Sequence, residues 1–269
     1  MKKHLECIVI IILFVISFIF TNNVSNIVRD KDPVMIDIKN KRDLYRVESV
    51  NGIINNDEII AGKNGCEIDI NKSYKEMKKV NKYAEAMLKY KDLVPEITLN
   101  NTYDKYISGG NNKDRNVSIV IYIKKDINIL NDIDTKLNIF LDSELLRNGK
   151  IDIIGNKKIY NGGTNNTYEN INIEWVNDLI SEYNKPSYCL NLDKNDNNLV
   201  ICMRNKMHSI YPKINGNNIY KLKKDIMNGS IIYFDENNIN NLNQTIKYLN
   251  SKGYNIVYLD ELLNEKTCK

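Results

Sequence analysis

The chain has 269 residues, 38 of them Lys or Arg and 34 Asp or Glu, which gives a formal net charge of +4 at pH 7. Both signs are mixed along the sequence, so the dense basic patches of nucleic-acid-binding proteins are missing and no nucleic-acid partner is expected. The two histidines, His4 and His208, are too few for a multi-histidine metal site in one copy of the chain. The composition otherwise predicts ordinary globular domains.

The N-terminus has the layout of a membrane-targeting segment. Lys2 and Lys3 precede an apolar run from residue 7 to residue 20, as a charged region precedes the hydrophobic region of an export signal. Residues 17–21 offer no good pair of small residues to a signal peptidase, so residues 1–21 are predicted to remain as a single-pass anchor. Secretion after cleavage is the alternative. The paired lysines predict a cytoplasmic N-terminus and a C-terminal domain outside the cell membrane.

Four cysteines, Cys66, Cys189, Cys202 and Cys268, fall in the part of the chain that is predicted to be exported. Disulfides persist in oxidising compartments outside the cytoplasm. Cys189 and Cys202 flank a polar stretch rich in Asn and Asp and are candidates for a pair, with free thiols as the alternative. No Cys-x-x-Cys spacing indicates a zinc ribbon.

The middle of the chain predicts a stalk followed by a small module. Residues 22–45 are polar and charged, and are predicted to link the membrane to the folded part. Residues 46–114 form the predicted α+β module: short strands or hairpins over 47–70, then one helix from about 71 to 88, begun by Asn or Ser. Paired Gly and Asn residues within 100–115 mark its end.

From residue 115 to residue 269, β-branched runs alternate with helical patterns. The predicted buried strands are Val117–Ile123, Leu137–Leu141, Ile151–Ile154, Leu199–Met203, Ser230–Phe234 and Asn255–Leu259. The predicted helices are Ile171–Tyr183, Ile219–Met227 and Leu242–Lys252, the last one ending before Gly253. This alternation predicts an α/β domain with a mainly parallel sheet or barrel.

The closing segment closely resembles the end of the polysaccharide deacetylases, the NodB homology family. GSIIYFD at 229–235 matches the family strand GSIILLH, and YLNSKGYNIVYLDELL at 248–263 matches YLKxKGYxFVTLSELL. The resemblance covers roughly residues 115–265 and implies a distorted (β/α) barrel. Residues 51–79 also resemble the small module that precedes such domains in some exported bacterial proteins.

The resemblance implies a chemistry that this chain has lost at the matched positions. The family uses an Asp base and a divalent metal such as zinc, held by Asp and two His, to form a hydroxide that attacks an N-acetyl carbonyl. The matched positions carry Tyr122 for the base and Ile123 for the metal-binding Asp, Lys157 and Asn161 for the two His, Lys185 for an Arg that orients the base, and Asp235 for the His that protonates the leaving amine. The resemblance therefore implies a member without a metal cofactor.

Our first functional hypothesis is a catalytically inactive protein that binds cell-envelope glycan or an envelope protein. Tyr122, Tyr160 and Tyr188 map to the family's substrate groove, and tyrosine rings stack on sugars, so these three are the candidate glycan contacts. The alternative for them is an ordinary structural role. The sequence does not choose between glycan and protein partners.

Two other functions remain open. One is an active carbohydrate N-deacetylase, a hydrolase of C–N bonds other than peptide bonds, whose site has been rebuilt around Asp235, Asp126 or His208. The other is a structural envelope protein without a glycan ligand. The potential metal ligands near the matched positions are Asp126, Asp142, Asn161, His208 and Asp235, and their spacing favours no set.

Overall fold

A computed structural model describes residues 2–147 and 155–268 of the chain. Within them the helices are α1 Lys2–Asp30, α2 Pro33–Lys41, α3 Ile70–Lys78, α4 Ser143–Arg147, α5 Asn170–Ser181, α6 Asp196–Arg204, α7 Ile219–Asp225, α8 Leu242–Ser251 and α9 Leu259–Leu262. The strands are β1 Ile53–Asn55, β2 Glu58–Ile60, β3 Gly65–Ile68, β4 Tyr90–Leu93, β5 Tyr106–Gly109, β6 Asn116–Ile123, β7 Leu137–Leu141, β8 Lys157–Asn161, β9 Tyr188–Leu190, β10 His208–Ile210, β11 Ile214–Asn215, β12 Ile231–Asp235 and β13 Asn255–Ile256.

The chain divides into two compact units that differ from the predicted domains. One comprises residues 1–48, 65–93 and 267–269, and the other comprises residues 49–64 and 94–266. The predicted boundary near residue 115 therefore lies inside the second unit. The reason is strand pairing, because β2 and β5 precede that boundary and yet join β10 and β9 in one sheet.

The first unit contains the long apolar helix and a small packed core. Residues 11–30 of α1 are long and apolar enough to cross a membrane, with a mean hydropathy of 1.9 and none of that stretch buried. After α1, the side chain of Asp32 caps α2 by accepting a hydrogen bond from the Val34 amide. Val34 and Ile38 of α2 then pack in one cluster with Ile68, Met77 and Leu88. The predicted stalk over 22–45 is wrong for this reason, since α1 continues through its first part and α2 is folded into the unit.

The helix predicted from residue 71 to 88 also ends earlier than expected. The side chain of Asp69, rather than that of Asn71 or Ser73, caps α3 by accepting from the Lys72 amide. The helix stops at Lys78, and Asn81 follows in the left-handed conformation with φ 51°. In the same unit β3 pairs antiparallel with β4, and Cys66 and Cys268 form a disulfide that the sequence did not indicate.

The second unit is built on parallel strands. One sheet has the order β1-β2-β5-β10-β9, and the other has β11-β12-β6-β7-β8 with β13 beside the start of β6. Every pairing in the second sheet is parallel. β6 alternates between two cores: Ile119 and Ile121 pack with α5, α7 and α8, whereas Val120 and Tyr122 pack with residues of the other sheet. Burial on both faces explains why β6 is apolar without interruption, and the predicted α/β class with a parallel sheet is confirmed.

Most elements predicted after residue 115 lie where the sequence placed them, with three exceptions. Leu199–Met203 is part of α6 and not a strand, because the Asn195 side chain accepts from the amides of Asn197 and Asn198 and begins a helix there. The strand predicted at 255–259 is limited to β13, after which α9 begins at Leu259. The strand predicted at 151–154 lies outside the described residues.

Candidate site at the carboxyl ends of the parallel strands

Open parallel sheets place their functional groups beyond the carboxyl ends of the strands. Here Tyr122, the penultimate residue of β6, lies against Asp142, which directly follows β7. The Tyr122 hydroxyl donates to Asp142 Oδ2 at 2.7 Å and accepts from the Asn166 amide at 2.8 Å. Tyr122 is 4% exposed and Asp142 is 3% exposed. The position matched to the catalytic base is therefore a buried hydrogen-bond donor to a carboxylate.

Asp142 accepts three hydrogen bonds from groups of the chain itself. Besides the Tyr122 hydroxyl, its Oδ2 accepts from the Asn165 amide at 2.7 Å, and its Oδ1 accepts from the Glu144 amide at 3.0 Å. Burial raises the pKa of Tyr122 far above its usual range, and the hydrogen bond to Asp142 adds to the shift. The phenol consequently remains protonated and serves as a donor.

The segment after β8 leaves no room for a larger side chain. A Cβ atom at Gly162 would lie 2.7 Å from Cε2 of Tyr122 and 2.7 Å from the Leu141 carbonyl oxygen. Asn161, just before it, accepts from the Gly163 amide at 2.8 Å and donates to Asn177 Oδ1 at 3.0 Å. The Tyr122 ring thus occupies the space that a side chain at 162 would need, and Asn161 acts in the turn.

Neighbouring polar side chains, which the sequence analysis did not single out, extend this network. The Tyr168 hydroxyl donates to the Asn161 carbonyl and accepts from the Leu190 amide, each at 2.8 Å. Asn166 donates to the Leu190 carbonyl at 2.8 Å, and Asn198 donates to the Asn166 carbonyl at 2.8 Å. In a chain so rich in Asn, the sequence carries no signal that separates these Asn residues from the others.

A disulfide joins β9 and α6 next to this network. Cys189 of β9 and Cys202 of α6, the pair considered from the sequence, are joined, with both residues fully buried. The bond closes a short loop that contains Asn191 and Asn198. It therefore restrains the loop that carries part of the network.

Lys157 and Lys185 lie away from the carboxyl ends of the strands, and Ile123 lies in the core between the sheet and the helices. Lys157 is the first residue of β8, and its ammonium group donates to the Ile133 carbonyl at 3.2 Å. The matched motif at 155–161 is mostly strand rather than a ligand-bearing turn. Lys185 is exposed and precedes β9. Ile123 is fully buried in the core that faces the helices.

Asp235 at the end of β12 caps a turn. Its Oδ1 accepts from the Asn237 amide at 2.8 Å and from the Asn238 amide at 3.2 Å. The adjacent Glu236, which the sequence analysis did not notice, has the more extensive role. Its Oε1 accepts from three consecutive amides, of Lys124, Lys125 and Asp126, at 3.1, 2.7 and 3.2 Å. Both carboxylates therefore fix loops after the strands.

His208 is packed against an aromatic ring and, in the part of the chain that the structure describes, is not part of a cluster of polar groups. It begins β10, and its ring stacks on Tyr103 with the centroids 4.0 Å apart. Its Nδ1 is buried without a hydrogen-bond partner among the described residues, and burial lowers its pKa to about 4. The imidazole is consequently neutral at physiological pH.

The candidate glycan contacts are core residues. Tyr122, Tyr160 and Tyr188 are 4%, 0% and 7% exposed, so their rings are not available to stack on a sugar. Tyr160 stacks on Phe140 at 5.2 Å between ring centroids and meets the Tyr188 ring edge-on at 5.5 Å. The alternative that these tyrosines are structural fits the structure.

The residues at the strand ends do not fit the family's metal. Zinc in proteins is bound by thiolate, imidazole and free carboxylate groups. The groups present are a protonated phenol, amides and the carboxylates of Asp142, Asp235 and Glu236, each of which already accepts hydrogen bonds from backbone amides of the chain. Across residues 2–147 and 155–268, no three His, Cys, Asp or Glu side chains gather as a metal site would require. The set Asp126, Asp235 and His208 is not assembled.

Sequence comparison identifies a curated relative of this chain. No family model matches the chain. Among curated proteins, the uncharacterized protein YlxY of Bacillus subtilis (strain 168) is 28% identical over a region that covers 55% of this chain. That region spans 53% of YlxY, about half its length.

Structural similarity extends over more of the chain than the sequence match does. The wild-type CE4 family pseudoenzyme BA3943 from Bacillus anthracis superposes with a TM-score of 0.59 and 20% identity, covering 86% of this chain and 95% of that one. A BA3943 mutant, described as a CE4 pseudoenzyme with restored enzymatic activity, gives a TM-score of 0.59 and 20% identity, with 86% and 98% covered. At this identity the likeness establishes architecture alone. The α/β fold of the chain is similar to that of CE4 proteins, the polysaccharide deacetylases that its closing segment resembles.

Proposed function

We propose that the protein is a membrane-anchored, catalytically inactive polysaccharide deacetylase-like protein whose folded part lies outside the cytoplasm and binds a partner in the cell envelope. The observation that carries this proposal is the buried hydrogen bond from Tyr122 to Asp142 at the ends of β6 and β7. In the family, this part of the fold would hold the base and the metal.

The chemistry of amide hydrolysis is not available to this arrangement. A general base must accept a proton, but the Tyr122 hydroxyl already donates its proton to a carboxylate. A water nucleophile needs activation by a metal or by a free base, and both oxygens of Asp142 already accept hydrogen bonds from the chain. Together with the degenerate motifs, this favours loss of turnover over a rebuilt hydrolase.

Two independent features support the proposed location. α1 supplies an apolar helix of membrane-spanning length, which supports an anchor retained after export. The Cys66–Cys268 and Cys189–Cys202 disulfides are the kind of bond that persists outside the cytoplasm. Two sheets that share a core further support a distorted barrel of the deacetylase type.

The partner is an envelope glycan or an envelope protein. The three tyrosines no longer support a glycan contact, because their rings are buried. A glycan array and a cross-linking pull-down with the full chain distinguish the two partners. Blank results in both would favour the purely structural alternative.

Acetate release tests the loss of turnover. Full-length protein purified in detergent is incubated with N-acetylated glucosamine oligomers in the presence of zinc, cobalt or manganese. We expect no release above the buffer background. Release that Asp235→Ala abolishes would instead establish the rebuilt hydrolase.

A further inference from the structure

The first unit contains a cavity of about 360 Å³ that the proposed function does not use. It lies among the end of α1, α2, β3, β4 and the start of α3. Its lining residues are Arg29, Asp30, Met35, Lys39, Arg42, Glu67, Ile68, Asp69, Ile70, Asn71 and Lys91. We call it the basic cavity.

The lining of the basic cavity carries four cations against the three carboxylates of Asp30, Glu67 and Asp69. Arg42, Arg46 and Lys91 all pair with Glu67, which is 5% exposed, at 3.0, 3.7 and 2.8 Å. Arg46 lies outside the lining and has its closer partner in Glu48 at 2.7 Å, whereas Lys39 pairs with Asp30 at 3.1 Å. Asp69 is engaged elsewhere, because it caps α3 and pairs with Lys72. The surplus of positive charge favours an anionic ligand.

Two guanidinium groups of the basic cavity have donors that are not used. Nε of Arg29 and Nε of Arg42 are buried, and neither has a hydrogen-bond acceptor among the described residues. The nearest carboxylate oxygen to Arg29 Nε in an ion pair, Asp30 Oδ1, lies at 4.0 Å, beyond hydrogen-bond distance. A buried donor without an acceptor is costly, and a guanidinium fits phosphate oxygens in bidentate geometry.

The position along the chain suggests where the anion comes from. α1 continues as one helix from the apolar run to Asp30. Arg29 is therefore eight residues beyond Thr21, the last residue of the predicted anchor. At 1.5 Å per residue this is about 12 Å along the helix axis. A headgroup layer is roughly 5–8 Å thick, and the long side chains of Lys and Arg reach several Å along a membrane helix. The basic cavity therefore lies within reach of lipid phosphates.

We propose that the basic cavity binds the phosphate of an anionic phospholipid headgroup next to the membrane helix. Arg29 and Arg42 supply their guanidinium groups, which are partly exposed, and Lys39 and Lys91 supply further positive charge. This proposal rests on the proposed membrane anchor, because the anchor brings the cavity to the bilayer.

The test measures lipid binding to the full-length protein in detergent. Phosphatidylglycerol and phosphatidylcholine are titrated separately, and bound lipid is counted by native mass spectrometry. We expect phosphatidylglycerol to bind at least about tenfold more tightly, and an Arg29→Gln, Arg42→Gln double variant to lose about tenfold or more of that affinity. Lys75→Gln is the matched control, since Lys75 is exposed on α3 and does not line the cavity.

Equal binding of both lipids, or an unchanged affinity in the double variant, would overturn the proposal. Inorganic phosphate that competes fully at the lipid's own concentration would assign the cavity to a free anion and reject the lipid. Lys39→Gln, which removes a cavity cation from a more exposed pair, replaces the double variant if that variant unfolds. Extraction of membranes at alkaline pH tests the anchor separately, because binding in detergent does not require it.

Discussion

At Tyr122 the sequence predicts the identity of the side chain but not its hydrogen-bond partners. The sequence identifies a phenol where the resemblance expects a carboxylate. Asp142, Asn165 and Asn166, the partners of that phenol, come from other parts of the chain. Their convergence depends on how β6, β7 and the loop after β8 pack, so the residue pattern alone could not supply it. The same packing buries Tyr160 and Tyr188, which the resemblance had assigned to a groove.

Removing the Tyr122 hydroxyl should destabilise the protein. Tyr122→Phe leaves the Asn166 amide without its acceptor and removes one donor from buried Asp142, so we expect a loss of about 1–3 kcal/mol in the free energy of unfolding. Denaturant titration measures this loss. Tyr220→Phe is the control, because Tyr220 is 82% exposed and should change stability little. Equal stability of the two variants would refute the network.

His208 should make stability depend on pH. Its folded pKa of about 4 lies below the unfolded value of about 6.5. Between these values the unfolded state binds more protons, so stability is retained above pH 6.5 and is lost as the pH falls toward 4, by at most about 1.4 kcal/mol per pH unit. Unfolding of the wild type and His208→Gln across this range measures the effect. Parallel pH curves for the two proteins would show that His208 does not contribute.

At the scale of elements, periodicity predicted the buried parallel strands β6, β7 and β12 and the helices α5, α7 and α8. It failed where capping decides the conformation. Val200 and Ile201 favour a strand by local preference, but the Asn195 side chain caps a helix, and Cys202 lies within it. It failed again at α2, where the polar sequence hid a short apolar face that packs on α3.

The Asn195 cap should contribute to the stability of α6. Asn195→Ala removes the acceptor for the amides of Asn197 and Asn198, and should cost about 1 kcal/mol of stability. Asn195→Asp keeps the acceptor and should behave as the wild type in thermal unfolding. If alanine and aspartate give the same melting temperature, capping does not hold this helix.

The Cys189–Cys202 disulfide joins β9 to α6 across 13 residues of sequence. A loop of this size restrains the unfolded chain, so Cys189→Ala with Cys202→Ala should lower the free energy of unfolding by about 2–4 kcal/mol. Denaturant titration of the double variant without reductant measures this loss. A double variant as stable as the oxidised wild type would show that the bond adds nothing.

At the scale of the whole molecule, the sequence predicts the α/β class and the membrane helix, but it misplaces the division of the chain. Strand pairing between β2 and β5 and the Cys66–Cys268 bond join segments that are far apart in sequence. Such long-range contacts leave no local pattern. The hydrogen-bond network at the strand ends could not be predicted for the same reason, because it depends on which loops meet there.

The central claim is that the strand ends of this fold hold a closed hydrogen-bond network in place of a metal centre. The metal content of purified full-length protein, after incubation with zinc, cobalt or manganese and removal of free metal, tests it most directly. We expect a ratio of metal to protein close to zero. A ratio near one per chain, lost in Asp142→Asn, would contradict it.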